Sequence, residues 1–150
     1  MSKIVRVLFL CTGNSCRSQM AEGLINHDFA GQIDAFSAGT EPHGLNPKAI
    51  QVMDEIGVDI SQNSSEHVSK YDAQNFDYVI TLCGDAEEKC PMAFGGGKRL
   101  HIGFDDPSKE TGAEEEVMSV YQRVRDELRQ QLSEFFQKEM NGGSNGTRTD

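Results

Sequence analysis

The sequence predicts an α/β sandwich built on a mainly parallel sheet, and three observations predict it. Four short runs read as strands, at residues 3–10, 33–38, 76–82 and 98–102. Segments with helical spacing of apolar residues alternate with them. Three of the strand candidates end in a loop that carries reactive side chains: Cys11 to Ser18, Cys83-Gly84-Asp85, and Asp105-Asp106-Pro107. Strands alternating with helices in one small chain favour parallel pairing. Ligands of such sheets sit beyond the carboxyl ends of the strands, where these three loops fall together.

The first run is short and β-branched, and loop residues end it, so it reads as a buried strand. From Ser18 to about Phe29, Met20, Ala21, Leu24, Ile25 and Phe29 recur at helical spacing. Residues 33–38 form the second strand, which Gly39 closes, and residues 40–47 are loop with Pro42, Gly44 and Pro47 as punctuation. Asn46 is placed to cap a helix with Pro47 at its first position; Ala49, Ile50, Met53 and Ile56 form its apolar stripe and Gly57 ends it. Residues 58–74 are polar and read as a turn or short helix. Residues 84–97, with Pro91 and three consecutive glycines, read as a mobile excursion between strands three and four. The clearest helix spans about 114–137. Acidic residues open it, and Val117, Val120, Tyr121, Val124, Leu128, Leu132 and Phe135 share one face. Residues 1–140 are therefore expected to form one domain, and the Gly-, Ser-, Asn- and Thr-rich residues 141–150 a disordered tail. No internal repeat is evident.

At 150 residues one domain can hold a real core without staples. The net charge of −10 argues against nucleic acid or an anionic membrane as partner. It conflicts only mildly with anion binding, because exposed charges are screened beyond about 8–10 Å. The first apolar run is too short for an export signal, is broken by Arg6 and lacks a small-residue cleavage site. A cytoplasmic location follows as the expectation. In a reducing compartment the four cysteines point to chemistry or metal binding in preference to structural disulfides.

The stretch Cys11-Thr12-Gly13-Asn14-Ser15-Cys16-Arg17-Ser18 organises the rest. A loop between a strand and a helix can turn its N–H groups inward, and the helix N-terminus adds positive charge. Cys11 opens this nest, and six residues later Arg17 offers a guanidinium fork suited to two oxygens of a tetrahedral anion. These groups favour the thiolate, which is the nucleophile. Ser18 can either cap the helix or hydrogen-bond the sulfur. The plainer alternative is a buried structural cysteine beside a surface arginine, and the flanking strand and helix speak against it.

Asp106, held before Pro107, suits a general acid, with Asp105 as its rival; alone, either would be an ordinary turn residue. Six residues separate Cys83 from Cys90, and neither this pair nor Cys11/Cys16 has the short spacing of a zinc knuckle. A four-cysteine zinc site is thus disfavoured. Two inert thiols remain the alternative for Cys83 and Cys90, less so for Cys90 in its glycine-rich setting.

Several stretches together resemble the thioredoxin-coupled arsenate reductases, which share the fold of low-molecular-weight protein tyrosine phosphatases. They are Cys11 to Gly23, Ser37-Ala38-Gly39, His43-Gly44-Leu45-Asn46-Pro47, Thr81 to Pro91 and Gly103-Phe104-Asp105-Asp106-Pro107. The resemblance covers residues 4 to about 135. It implies a single-domain three-layer sandwich, with a four-stranded parallel sheet flanked by helices. It further implies arsenate as substrate, bound by Thr12, Gly13, Asn14, Ser15, Cys16, Arg17 and Ser18. Cys11 would attack arsenate, and Asp106 would protonate the departing hydroxide. Cys83 would then attack Cys11 and release arsenite, and Cys90 would convert the transient Cys11–Cys83 bridge into a redox-active Cys83–Cys90 disulfide. Thioredoxin, itself served by thioredoxin reductase and NADPH, would reduce that bridge; such successive thiolate attacks on sulfur are ordinary exchange chemistry. The expected biological outcome is arsenic detoxification by a monomer.

Cys16 has no part in this scheme and reads as a bystander. No tightly bound cofactor is implied, but some members of the family hold potassium at positions matching Asn14, Glu22, Ser37 and Glu66. Two positions depart from the pattern: Glu66 stands where relatives carry Asp, and Ile102 where they often carry Trp. A phosphatase acting on phosphomonoesters is the first rival, since phosphate and arsenate share shape and charge. It needs no second or third cysteine, and Ser108-Lys109 replace the aromatics that would sandwich a tyrosyl ring. A non-catalytic redox sensor or arsenite-binding protein is the second; it would need neither Arg17 nor Asp106.

Overall fold

The computed structural model describes residues 4–71, 74–82 and 98–144. Cys83, Cys90, the glycine-rich excursion and residues 145–150 lie outside the described residues. Four strands, β1 (Val5–Leu10), β2 (Ile33–Ala38), β3 (Tyr78–Thr81) and β4 (Lys98–His101), form one sheet in the order β2-β1-β3-β4. Every pairing is parallel, with Val5 opposite Ile33, Val7 opposite Tyr78, and Tyr78 opposite Lys98. Among the described residues three α-helices accompany it: α1 (Arg17–Asp28), α2 (Pro47–Asp54) and α3 (Glu114–Ser144). Parallel strands place β1 at the centre with its carboxyl end open, and that end feeds the cysteine loop.

Alternate residues of the pleat face opposite layers. Val7 and Phe9 point into the larger core with Met20, Leu24, Ile25, Val124, Leu128, Leu132 and Phe136 from the helices. Leu8 and Leu10 point the other way, to Val68, Tyr71, Phe76 and Val79. Among the described residues this second face is covered by a 3-10 turn, Val68–Tyr71, and its flanking loop, so all three α-helices lie on one side. The polar stretch at 58–74 thus packs Val68 and Tyr71 on this face, while its Val58 and Ile60 join the larger core. Arg6 ties its far end down: its guanidinium lies 5.0 and 4.7 Å from the Phe36 and Phe76 ring centroids and donates to the Asn75 carbonyl.

Asn46 caps α2 as its sequence implies, its Oδ1 accepting from the Lys48 and Ala49 N–H groups, with Pro47 in the first turn. The buried face of α2 is Ala49, Val52 and Met53, which corrects the expected stripe: Ile50 and Ile56 are half-buried at its margin. A similar shift affects α3. Phe136 is fully buried and meets Phe9, Phe29 and Tyr78 edge-on, whereas Phe135 is half-buried against Tyr78. Met118 is also buried, while Val117 and Val120 flank the core. The helix runs to Ser144, four residues into the segment expected to be tail, since each further residue of an established helix closes another backbone hydrogen bond. Arg129 on α3 grips Asp28 at the end of α1 with two bonds of 2.9 and 2.7 Å, fixing α3 against the helix that carries Arg17.

The two phenylalanines make a test of this packing. Phe136→Ala should cost about 3–5 kcal/mol in urea unfolding, and Phe135→Ala about 1 kcal/mol. Equal losses would contradict the register of α3.

Candidate functional site

β1 ends at Leu10, and the next six residues turn into α1 with their carbonyl groups facing outward. The Thr12, Gly13 and Ser15 carbonyls accept from the Glu41, His43 and Asn46 N–H groups at 2.8, 2.9 and 2.9 Å. The Asn14 carbonyl accepts from Gln19 Nε2 and Ser65 Oγ. In a planar trans peptide the N–H of the next residue points opposite to the carbonyl. The N–H groups of Gly13, Asn14, Ser15 and Cys16 therefore turn to the cleft side and form an anion nest. The second strand comes close enough to demand a glycine: a Cβ on Gly39 would lie 2.5 Å from the Thr12 carbonyl and 2.7 Å from that of Cys11.

Asn14 is the one described non-glycine residue with positive φ, at 46°. Asparagine tolerates that region better than most side chains. It is fully buried. Its Nδ2 donates to Ser18 Oγ at 2.8 Å, and its Oδ1 accepts from the Glu66 N–H at 2.7 Å and from Gln19 Nε2 at 3.2 Å. Ser18 Oγ lies 2.9 Å from Cys11 Sγ. Ser18 accepts from Asn14, which leaves its own proton available to the sulfur. Ser18 therefore serves the sulfur, and α1 has no side-chain cap.

Arg17 Nη1 donates to the Phe104 carbonyl at 3.0 Å, and Nη2 lies 3.3 Å from Asp106 Oδ2. Its Nε is buried with no hydrogen-bond partner among the described residues, a donor left over beside the nest. The structure separates Asp105 from Asp106. Asp106 lines the cleft, whereas Asp105 is exposed and paired with Arg123 at 3.2 Å. Cys11, Thr12, Gly13, Ser15, Cys16 and Arg17 surround a cavity of about 450 Å³, closed on the other side by His43, Asp106, Ser108 and Lys109. Burial, then the negative charges of Asp106 and Cys11, push the Cys16 thiol far up, so it stays protonated. A buried thiol beside a hydrogen-bonded one, under a nest of N–H groups and an arginine, can attack a small tetrahedral oxyanion through Cys11 alone.

Residues 6–143 match the family described as low molecular weight phosphotyrosine protein phosphatase. The chain belongs to this family. An arsenate reductase of Shouchella clausii is 50% identical over 135 residues, covering 90% of this chain and 96% of that protein. An arsenate reductase of Bacillus subtilis is 51% identical over 129 residues, 86% of this chain and 93% of that one. A solved arsenate reductase in a phosphate-binding state superposes with a TM-score of 0.78 at 32% identity, over 90% of this chain and 98% of that one. A low molecular weight protein tyrosine phosphatase from T. tengcongensis, 24% identical with a TM-score of 0.74 over 89% of this chain and 99% of that one, shares the fold.

The potassium expectation meets a different arrangement. Glu22, Ser37 and Glu66 line one pocket, and Asn14 joins them through the Glu66 N–H. Their oxygens are hard donors, but they are engaged: Glu22 Oε1 by Ser37 Oγ, and Glu66 Oε2 by Ser64 Oγ and by Lys70 Nζ at 3.2 Å. Asn14 Oδ1 has two N–H partners. Lys70 thus places a positive charge beside Glu66, and a potassium ion held by these residues would have to share that carboxylate with it. From sequence, Gln19, His43 and Ser65 had no place in the site, and Ser108 and Lys109 entered only as replacements for aromatics. Gln19 had a signal, a polar residue on the buried face of α1 next to Ser18.

Burial raises the Glu22 carboxyl above its usual range, against the Ser37 hydrogen bond and Lys70, with the charge of Glu66 adding to the rise. The folded protein then holds this proton more tightly than the unfolded chain does. Stability from this group accordingly falls as pH rises from about 4.3, the unfolded value, through the folded one. Glu22→Gln should unfold in urea like the wild type at pH 4 and be more stable at pH 7. An equal difference at both pH values would contradict this.

Proposed function

We propose that the protein reduces arsenate to arsenite through a thiol relay regenerated by thioredoxin, in the cytoplasm and as a monomer. In the first step Cys11 Sγ attacks arsenic held by the nest and Arg17. The arsenic–hydroxyl bond breaks, and the Asp106 proton leaves with the hydroxide as water. Cys83 then attacks Cys11 Sγ. A sulfur–sulfur bond forms, the sulfur–arsenic pair stays on arsenic, and arsenic leaves as arsenite with two electrons more. Cys90 next attacks Cys83, which frees Cys11 and leaves the Cys83–Cys90 disulfide for thioredoxin, with thioredoxin reductase and NADPH behind it. A relay of free thiols needs a reducing compartment, which supports the cytoplasmic location; among the described residues no helix is long and apolar enough to cross a membrane. No step runs through a metal.

The observation that carries this reading is the identity with proteins named arsenate reductases, about half of all positions over 86–90% of the chain. The cleft alone would suit phosphate equally, and the family supports a slow phosphatase side activity. Ser108 and Lys109 at the rim leave no aromatic pair for a phosphotyrosyl ring.

With thioredoxin, thioredoxin reductase and NADPH, arsenate should drive NADPH oxidation and phosphate should not. Cys90→Ser should abolish turnover, Asp106→Asn should lower kcat by about 10²-fold or more, and Asp105→Asn should stay within about twofold of wild type. Rapid hydrolysis of an aryl phosphate with no arsenate-dependent oxidation would overturn the reading in favour of a phosphatase.

A further inference from the structure

We propose that Ser108 is a positioning residue that holds Asp106 with its acid proton on Oδ2, facing the anion site; this rests on the acid role given to Asp106 above. Asp106 Oδ1 accepts two hydrogen bonds, both from Ser108: the N–H at 3.0 Å and the hydroxyl at 2.6 Å. A carboxyl oxygen has two in-plane lone pairs, so both are engaged. A proton on Oδ1 would displace one of these donors and leave it without its bond. Oδ2 instead lies 3.3 Å from Arg17 Nη2, on the guanidinium that lines the same cleft. Protonated Asp106 therefore carries its hydrogen on the oxygen beside Arg17.

The two halves of this clamp differ in what they require of the sequence. The backbone half is available to any residue at position 108, because Asp106 caps the 3-10 turn Pro107–Lys109. The hydroxyl half needs Ser or Thr. Backbone capping alone fixes where the carboxylate sits; the second bond fixes which oxygen is the donor. Ser108 lines the cleft and is exposed, so its hydroxyl contributes little to the core and substitution there leaves the fold intact.

The test is a single-turnover measurement of arsenite formed by the pre-reduced full chain in rapid quench. Ser108→Ala should slow the step about tenfold, the scale of one charge-assisted hydrogen bond, with the arsenate concentration for half-maximal rate unchanged within about twofold. Ser108→Thr should recover the rate to within about threefold, since it keeps the hydroxyl. In an Asp106→Ala background, Ser108→Ala should cost less than about twofold, because its effect passes through the carboxyl. A tenfold loss that persists without the Asp106 carboxyl, or a wild-type rate in Ser108→Ala, would overturn the positioning role. An Asp106→Ala enzyme as fast as wild type would instead overturn the acid assignment, and this inference with it.

Discussion

The buried side chain of Asn14, set at positive φ, is the constraint on which the rest of the site depends. From one residue it reaches the sulfur through Ser18, α1 through Gln19, and the 64–66 segment through the Glu66 N–H, while the Asn14 backbone carbonyl takes the Ser65 hydroxyl. That segment is in turn bonded to the end of β2, where Gly39 donates to the Glu66 carbonyl and accepts from Val68. The start of α1 and two segments distant in sequence thus hold one loop in one shape. The left-handed turn at residue 14 costs about 1–2 kcal/mol for a side chain without compensation, and these bonds are what offset it. A loop fixed in advance loses little entropy when an anion arrives.

The electrostatics are local. The chain carries a net charge of −10, yet the cleft presents N–H groups, Arg17, Lys109 and His43, with Asp106 as its one carboxyl group among the described residues. Acidic residues elsewhere, such as Asp105 with Arg123 or Glu66 with Lys70, are paired and kept from the anion. Cys16 shows how selective the arrangement is. It lines the same cavity as Cys11, but burial and neighbouring negative charge keep it a thiol, so one sulfur of the two is fit to react.

Much of this was legible in the sequence, for physical reasons that differ by residue. The strand, loop and helix around Cys11 show because buried β-branched runs, loop residues and helical periodicity are local signals. The cap at Asn46 and Pro47 shows for the same reason. What stayed open needed contacts between remote segments. Asp105 and Asp106 are equivalent until Arg123 on α3 takes one of them. Phe135 and Phe136 are adjacent, and the rings of Phe9 and Phe29 decide which is buried. Glu66 shows no partner in the sequence, and the 3-10 turn is what brings Lys70 beside it. Gly39 reads as a strand end, and only the approach of Thr12 and Cys11 shows why a side chain is excluded.

The central claim is that the oxyanion site is preformed by the Asn14 side chain, and calorimetric titration of the reduced protein with phosphate tests it most directly. Asn14→Gly keeps the backbone angle at no steric cost and removes only the side-chain bonds. The account predicts phosphate affinity at least about tenfold weaker, the scale of one to two lost hydrogen bonds, with the far-ultraviolet circular dichroism unchanged. Affinity within about twofold of wild type would contradict it, and would mean that the outward carbonyl bonds shape the loop without Asn14.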